Sequence, residues 1–233
     1  MPDASYEQTR AKLTTYFDQT AAHAWAQLTS DAPVNGIRAT VRKGRDDMRA
    51  TLLGWLPEDM HGMTLLDAGC GTGALSMSAA ERGASVTAVD VSPTLVELAQ
   101  QRSFEVPGGG SIDFQVGDML SPALGSFDYV VAMDSLIHYS VEDIAMSVAA
   151  LAARTRRGVL FTFAPKTPLL SLMHFTGRLI PRLTHKAPAI IPASENRLRS
   201  LLGDAPALDD FRIADSVRID AAFYKSQAMA VLR

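Results

Sequence analysis

The chain has 233 residues, of which 47% are hydrophobic and 20% are charged, and its formal net charge is −3. This length and composition provide enough apolar surface for one α/β domain, with at most a small appendage. The chain lacks the basic excess that nonspecific binding to a phosphate backbone requires, so nucleic acid is not expected as a partner. The single cysteine excludes an intramolecular disulfide and a cysteine-rich metal site, and no metal ligands are predicted.

The first ten residues are polar and contain no apolar core of a signal peptide. No apolar run in the sequence reaches the roughly 18 residues that suggest a membrane span. We therefore expect a cytoplasmic protein that contacts a membrane peripherally at most.

The N-terminal quarter of the chain shows a helical pattern. Apolar side chains recur at intervals of three to four residues, first around Phe17 and then from Ile37 to Leu56. Pro57 ends this pattern. We therefore predict that residues 1–57 form a helical lid or arm.

From Thr64 onward, short apolar runs of β type alternate with helical segments. The runs are TLLDAG, SVTAVD, IDFQVG, FDYVVAM and GVLFTF, and their alternation with helices predicts a mainly parallel sheet built from βα units. The last two runs, FRIADSVRID and FYKSQAMAVLR, are too close in sequence for a helical crossover, which predicts an antiparallel pair. The pattern predicts a main domain over residues 58–233, with a cap insertion at about residues 166–205.

The first of these strands leads into a glycine-rich turn, LDAGCGTG at residues 66–73, and then into a helix that begins near Ala74. Glycines let the backbone approach a ligand closely, and the first N–H groups of a helix suit a carboxylate. The same spacing also satisfies a loose dinucleotide fingerprint, so the glycines alone leave S-adenosylmethionine (SAM) and NAD both open.

Acidic residues after three successive strands favour SAM. Asp67 precedes the glycine turn, where it can receive the amino group of SAM and would repel a pyrophosphate. Asp90 ends the second strand, where an acid can accept hydrogen bonds from ribose hydroxyls. Asp118 follows the third strand and suits the adenine amino group, with Met119 packing on the ring. The alternative is that Asp67 and Asp90 only cap helices or turns.

Together these features resemble the class I SAM-dependent methyltransferases over about residues 60–165. The resemblance implies a Rossmann-like α/β fold, with a mainly parallel seven-stranded sheet whose final strand is antiparallel and with a helical N-terminal lid. The residues predicted to bind the cofactor are Asp67, Gly69, Cys70, Gly71, Gly73, Asp90, Val91, Asp118, Met119 and Met133.

Four further stretches resemble the magnesium protoporphyrin IX O-methyltransferases: YFDQTAAHAW at residues 16–25, DSLIHY at 134–139, FTFAPKTPLL at 161–170 and FYKSQA at 223–228. The resemblance implies methylation of one porphyrin propionate, giving the monomethyl ester and S-adenosylhomocysteine (SAH). It also implies the large subunit of magnesium chelatase as a candidate partner.

The resemblance implies catalytic positions for His138 and Tyr16. His138 follows the fourth strand and is expected to orient the propionate or contact the macrocycle, whereas Tyr16 is expected to lie in a lid over substrate and cofactor. The structural alternatives are a histidine bonded to a neighbouring loop and a tyrosine packed on the core. Asp134 is also predicted to contact the substrate.

An arginine stripe at helical spacing comprises Arg38, Arg42, Arg45 and Arg49. One reading is a solvated helix face, and the other is that one or two members, Arg38 first among them, bind a porphyrin carboxylate in bidentate geometry.

Methylation of a propionate needs no strong general base, because a carboxylate with a pKa near roughly 4.3 is already ionised at neutral pH. A methyltransferase for another small molecule, such as a quinone precursor, stays open because His138 can serve there as a base. A second alternative is a carrier that binds porphyrin or SAM without catalysis.

Overall fold

The computed structural model describes residues 4–18, 36–103, 106, 108–166 and 189–233. Two parts of the predictions therefore lie outside the described residues. They are residues 1–3 and 19–35 of the predicted lid, with most of the YFDQTAAHAW stretch, and residues 167–188 of the predicted cap, with the end of FTFAPKTPLL.

Helices and strands alternate through the described chain. The helices are α1 (Ala4–Tyr16), α2 (Ile37–Gly54), α3 (Ala74–Glu81), α4 (Pro93–Arg102), α5 (Val141–Ala152) and α6 (Glu195–Gly203). The strands are β1 (Thr64–Ala68), β2 (Ser85–Asp90), β3 (Ser111–Val116), β4 (Phe127–Ala132), β5 (Thr155–Phe163), β6 (Arg212–Ala221) and β7 (Tyr224–Leu232).

The strands form a seven-stranded sheet in the order β3-β2-β1-β4-β5-β7-β6. Strands β1 to β5 pair in parallel, and β7 runs antiparallel to both β5 and β6. The predicted fold class is confirmed, including the antiparallel final strand. The strand order reverses between β1 and β4, and ligands of such sheets bind at this switch point, beyond the carboxyl ends of the strands.

The central strands are apolar along most of their length because helices cover both faces of the sheet. Leu65, Leu66, Val130 and Leu160 are fully buried there. Helix α2 packs on β6 and β7 and buries Met48, so this part of the predicted arm contributes to the core of the main domain. The predicted boundary at residue 57 stays a prediction.

Helix α1 is attached to the carboxyl edge of the sheet. Tyr6 and Leu13 are buried in the core, and the Ser5 hydroxyl donates a hydrogen bond of 2.6 Å to Asp143 in α5. The helix therefore lies beside the loops that follow the strands. None of the helices in the described part of the chain is long and apolar enough to cross a membrane.

Candidate active site

A cavity of about 930 Å³, counted with its mouth open to solvent, lies at the carboxyl ends of β1, β2 and β4. Most of the predicted site residues line it: Asp67, Gly69, Cys70, Gly71, Asp90, Val91, Met119, Met133, Asp134 and His138.

Asp67, in strand β1, places a buried carboxylate at this cavity. It accepts a hydrogen bond of 2.6 Å from the Ser76 hydroxyl. Burial raises the pKa of Asp67 to about 7, with a smaller contribution from the nearby charge of Asp90. A carboxylate in this setting gains stability from a cation in the cavity, so the site fits the ammonium group of SAM.

Asp90, at the end of β2, is held by the backbone of two turns. Its two carboxylate oxygens accept hydrogen bonds of 2.9 Å from the N–H groups of Gly71 and Ser92. Burial raises the pKa of Asp90 above its usual value. Each oxygen has further lone pairs that can accept a hydroxyl, so the fixed carboxylate fits the ribose of SAM.

The glycines of the turn meet protein as well as the cavity. A side-chain carbon at Gly69, where φ is 85°, would come within 2.4 Å of Ser135 Cβ, in the loop after β4. At Gly73, where φ is 79°, it would meet Phe114 at 3.1 Å, and Gly73 is not among the described residues that line the cavity. Glycine at these two positions is therefore required by left-handed backbone and by packing, a reason beyond the predicted approach to a ligand.

Cys70 lies within the turn and faces the cavity. Burial raises the pKa of its thiol well above the usual range, and the charges of Asp67 and Asp90 raise it further. The side chain is therefore a neutral thiol that contributes a compact apolar surface to the site.

Asp118, after β3, is bound to helix α1. Its carboxylate accepts a hydrogen bond of 2.7 Å from the Tyr6 phenol and pairs with Arg10 at 3.5 Å. Asp118 is not among the described lining residues, whereas its neighbour Met119 is. The predicted contact of Asp118 with adenine stays a prediction, and the structure assigns this carboxylate a structural partner that the sequence did not indicate.

Asp134 is the centre of a buried polar network. Its side chain is 5% exposed and accepts hydrogen bonds from Arg45 at 2.9 Å, from the Tyr224 phenol at 2.9 Å and from Ser226 at 3.3 Å. The residue has a φ of 55°, a left-handed conformation that is uncommon outside glycine. The network explains part of the FYKSQA stretch, because Tyr224 and Ser226 lie in it.

His138 lies in the short turn after β4 and lines the cavity. Its Nδ1 is 3.2 Å from the Ala189 carbonyl oxygen, and Phe17 packs edge-on against the ring at 6.2 Å between centroids. Burial lowers the pKa of His138 below its usual value. The ring is therefore neutral at neutral pH, and because a carbonyl only accepts, Nδ1 carries the proton and Nε2 keeps a lone pair.

Tyr16 and Arg38 are not among the described residues that line the cavity. Tyr16 ends α1 and packs against Phe17, which does line it, and Arg38 lies exposed in the first turn of α2. Their predicted contacts with substrate stay predictions. Within the arginine stripe, the members at the cavity are Arg45 and Arg49.

Sequence reasoning missed several lining residues, among them Tyr6, Tyr139 and Ser135. Tyr6 follows the helical spacing of an ordinary core residue, so nothing in the sequence distinguishes it. Ser135 belongs to the DSLIHY stretch, in which only its neighbours Asp134 and His138 were predicted to be site residues.

The sheet order, the glycine turn and the acids along the cavity define a class I SAM-dependent methyltransferase. Residues 65–158 match the model of the methyltransferase domain, and residues 132–233 match that of the magnesium-protoporphyrin IX methyltransferase C-terminus. A magnesium-protoporphyrin O-methyltransferase of Rhodobacter capsulatus is 43% identical over 97% of this chain and 97% of its own length. The chain belongs to the magnesium-protoporphyrin IX methyltransferase family.

Solved structures agree with this assignment. One is the magnesium protoporphyrin IX methyltransferase of Synechocystis with bound SAH. Its match covers 97% of this chain and 99% of the Synechocystis chain, with a TM-score of 0.82 and 28% sequence identity. The same enzyme with bound SAM has a TM-score of 0.76. A ubiquinone biosynthesis O-methyltransferase of Bordetella parapertussis is 34% identical over 61% of this chain and 63% of its own length, so that similarity covers less of both proteins.

Proposed function

We propose that this protein transfers the methyl group of SAM to one propionate carboxylate of magnesium protoporphyrin IX, giving the monomethyl ester and SAH. The observation that carries the proposal is the 43% identity to a magnesium-protoporphyrin O-methyltransferase along 97% of both chains. The cavity supports it, because buried acids and a glycine turn lie together at the switch point of the sheet.

The cofactor end of the site follows from the two buried acids. Asp67 binds the ammonium group, Asp90 accepts the ribose hydroxyls, and the first N–H groups of α3 face the carboxylate. Met119 and Met133 supply apolar surface, as do Val91 and Cys70. When bound, SAM supplies an electrophilic methyl group on a positively charged sulfur.

The acceptor end needs no general base. A propionate is ionised at neutral pH, so an oxygen–carbon bond forms as the carbon–sulfur bond breaks, and no proton moves. The protein contributes alignment, a term that reaches roughly 7 to 11 kcal/mol in well-oriented reactions. A neutral His138 suits this role because it adds no positive charge beside the reacting carboxylate, and its ring can contact the macrocycle.

The other predicted residues have supporting roles in this proposal. Asp134 shapes the substrate side of the cavity through its network, and Tyr16 contacts the aromatic ring of Phe17 at the end of α1. Arg38, which is exposed in the first turn of α2, stays a candidate contact for a porphyrin carboxylate. We also propose the large subunit of magnesium chelatase as a partner, and a cytoplasmic location with peripheral membrane contact at most. The chain offers for both contacts an apolar and then basic stretch from Leu169 to Lys186, which lies outside the described residues.

The decisive experiment incubates purified protein with methyl-labelled SAM and one of three acceptors: magnesium protoporphyrin IX, metal-free protoporphyrin or a catechol. Chromatography of a labelled magnesium-porphyrin monomethyl ester supports the proposal, and Asp67→Asn, which lacks the cofactor-binding charge, is the matched inactive control. A labelled catechol without porphyrin ester would instead assign a quinone-type acceptor. SAM and porphyrin binding without any product would indicate a carrier.

A further inference from the structure

The cavity has two cationic side chains among its described lining residues, Arg45 and Arg49. They lie one turn apart on α2, so both project from the same face of the helix. Their side chains are 19% and 29% exposed, well below the values of a solvated arginine.

The two arginines are held differently. Arg45 binds Asp134 at 2.9 Å, and Asp134 is fixed in turn by Tyr224. This places the Arg45 guanidinium rigidly between the loop after β4 and the strand β7. Arg49 pairs at 3.0 Å with Asp46, which is 49% exposed, so water screens that pair and leaves much of the charge of Arg49 available to a ligand.

We propose that Arg45 and Arg49 form the binding site for the substrate carboxylate that is not methylated. The inference rests on the proposed function, since it requires a substrate with two carboxylates. A porphyrin that leaves as a monomethyl ester keeps one carboxylate throughout the reaction. A partly buried cation can bind that group with equal strength before, during and after methyl transfer.

Placing the arginines on the reacting carboxylate would slow the reaction. Methylation removes the negative charge of that group, so an ion pair stabilises the reactant more than the transition state and raises the barrier. The reacting carboxylate then lies away from both guanidinium groups, towards the turn after β4, where His138 lines the cavity and adds no positive charge. The charged and uncharged contacts come from different elements, α2 and the turn after β4.

This arrangement also accounts for a single methylation. For a second transfer, the monoester would have to bind with its remaining carboxylate at the reaction centre and its ester at Arg45 and Arg49. The ester cannot form an ion pair, so the monoester in that orientation would lose the charged contact that the diacid makes with the two guanidinium groups. The arginine pair therefore favours release of the monoester.

The test measures how Arg49 couples to each carboxylate. SAH-loaded protein is titrated with magnesium protoporphyrin IX and with its two isomeric monoamides, each of which has one propionate replaced by a neutral group of the same size. Dissociation constants come from the Soret band, and a separate incubation with SAM shows which monoamide is methylated. The variants are Arg49→Gln and, as a matched control on the exposed face of the same helix, Lys43→Gln, which also removes one ion-paired cation. Thermal unfolding and SAH affinity verify that each variant is folded.

We expect Arg49→Gln to weaken binding of the diacid by about 10- to 100-fold, the value of a hydrogen bond to a charged group, whereas Lys43→Gln leaves it unchanged. One monoamide should bind the unaltered protein and Arg49→Gln equally weakly, and this isomer should be the one that is still methylated. The proposal is overturned if Arg49→Gln weakens the binding of both monoamides and of the diacid by the same factor, or if it changes the binding of none of them. It is also overturned if Arg49→Gln does not weaken binding of the monoamide that is not methylated. A protein that binds SAH and methylates none of these porphyrins would refute the proposed function instead.

Discussion

The phenol of Tyr6 donates a hydrogen bond of 2.7 Å to the carboxylate of Asp118, a residue 112 positions away in the sequence. The Tyr6 ring also stacks on Tyr139, with 5.0 Å between centroids. These contacts join helix α1 to the loops after β3 and β4, which border the cavity. The N-terminal helix is therefore structurally coupled to the cofactor end of the site.

Replacing Tyr6 by phenylalanine keeps the stacking and removes the hydrogen bond to Asp118. We expect the free energy of unfolding to fall by about 1 to 3 kcal/mol, because a partly buried carboxylate loses a donor. The dissociation constant for SAH should rise several-fold as α1 loosens. Calorimetric titration and urea unfolding measure both quantities. Thr15→Ala, which removes an exposed hydroxyl from the same helix, serves as the control and should change neither.

The affinity for SAM should depend on pH through Asp67. Its pKa is about 7 in the free protein, so below that pH the carboxylate is protonated and cannot pair with the ammonium group. We expect affinity for SAM or SAH to rise by up to about tenfold per pH unit towards pH 7 and to level off above it. Asp67→Asn should weaken binding and flatten the profile, since it retains an acceptor for Ser76 but no charge. A dissociation constant for the parent that stays constant from pH 5.5 to 8 would contradict this role.

His138 should act as a positioning group with no proton transfer. Because burial lowers its pKa, the ring is neutral at pH 7 and above, and kcat at saturating SAM should be constant from pH 7 to 9. His138→Ala should raise the KM for the porphyrin while kcat falls by less than about tenfold, whereas loss of a general base costs about 100-fold or more. Gln is the conservative replacement, and it should recover part of the KM. A large loss of kcat in both variants would show that His138 is a base.

Gly44 in α2 packs against the ring of Tyr224, and an added methyl group would come within 2.5 Å of that ring. Gly44→Ala should therefore destabilise the protein by about 1 to 3 kcal/mol, despite the roughly 1 kcal/mol that alanine gains over glycine in a helix. Gly54→Ala is the matched control, because nothing lies within 4 Å of that position. Its stability should stay equal or rise slightly. Thermal unfolding of the two variants decides whether α2 is tightly fitted to β7.

Much of the site was predictable because acidic residues stand in the sequence at the ends of predicted strands. Asp67 and Asp90 end successive parallel strands, and the carboxyl ends of such strands meet at one edge. Any sequence that folds with this strand order brings those acids together. Asp118 shows the limit of this reasoning, since its position after β3 was predictable and its partner Tyr6 was not.

The sequence by itself determined the order of strands and helices, the antiparallel ending and the buried acids, because apolar periodicity and glycine spacing act over short distances. Tertiary structure alone decided which arginines reach the cavity. Arg38, Arg45 and Arg49 share one helical stripe, and only the docking of α2 on β6 and β7 turns the last two towards the site. Long-range packing fixes that rotation, and the pattern along a single helix contains no information about its neighbour.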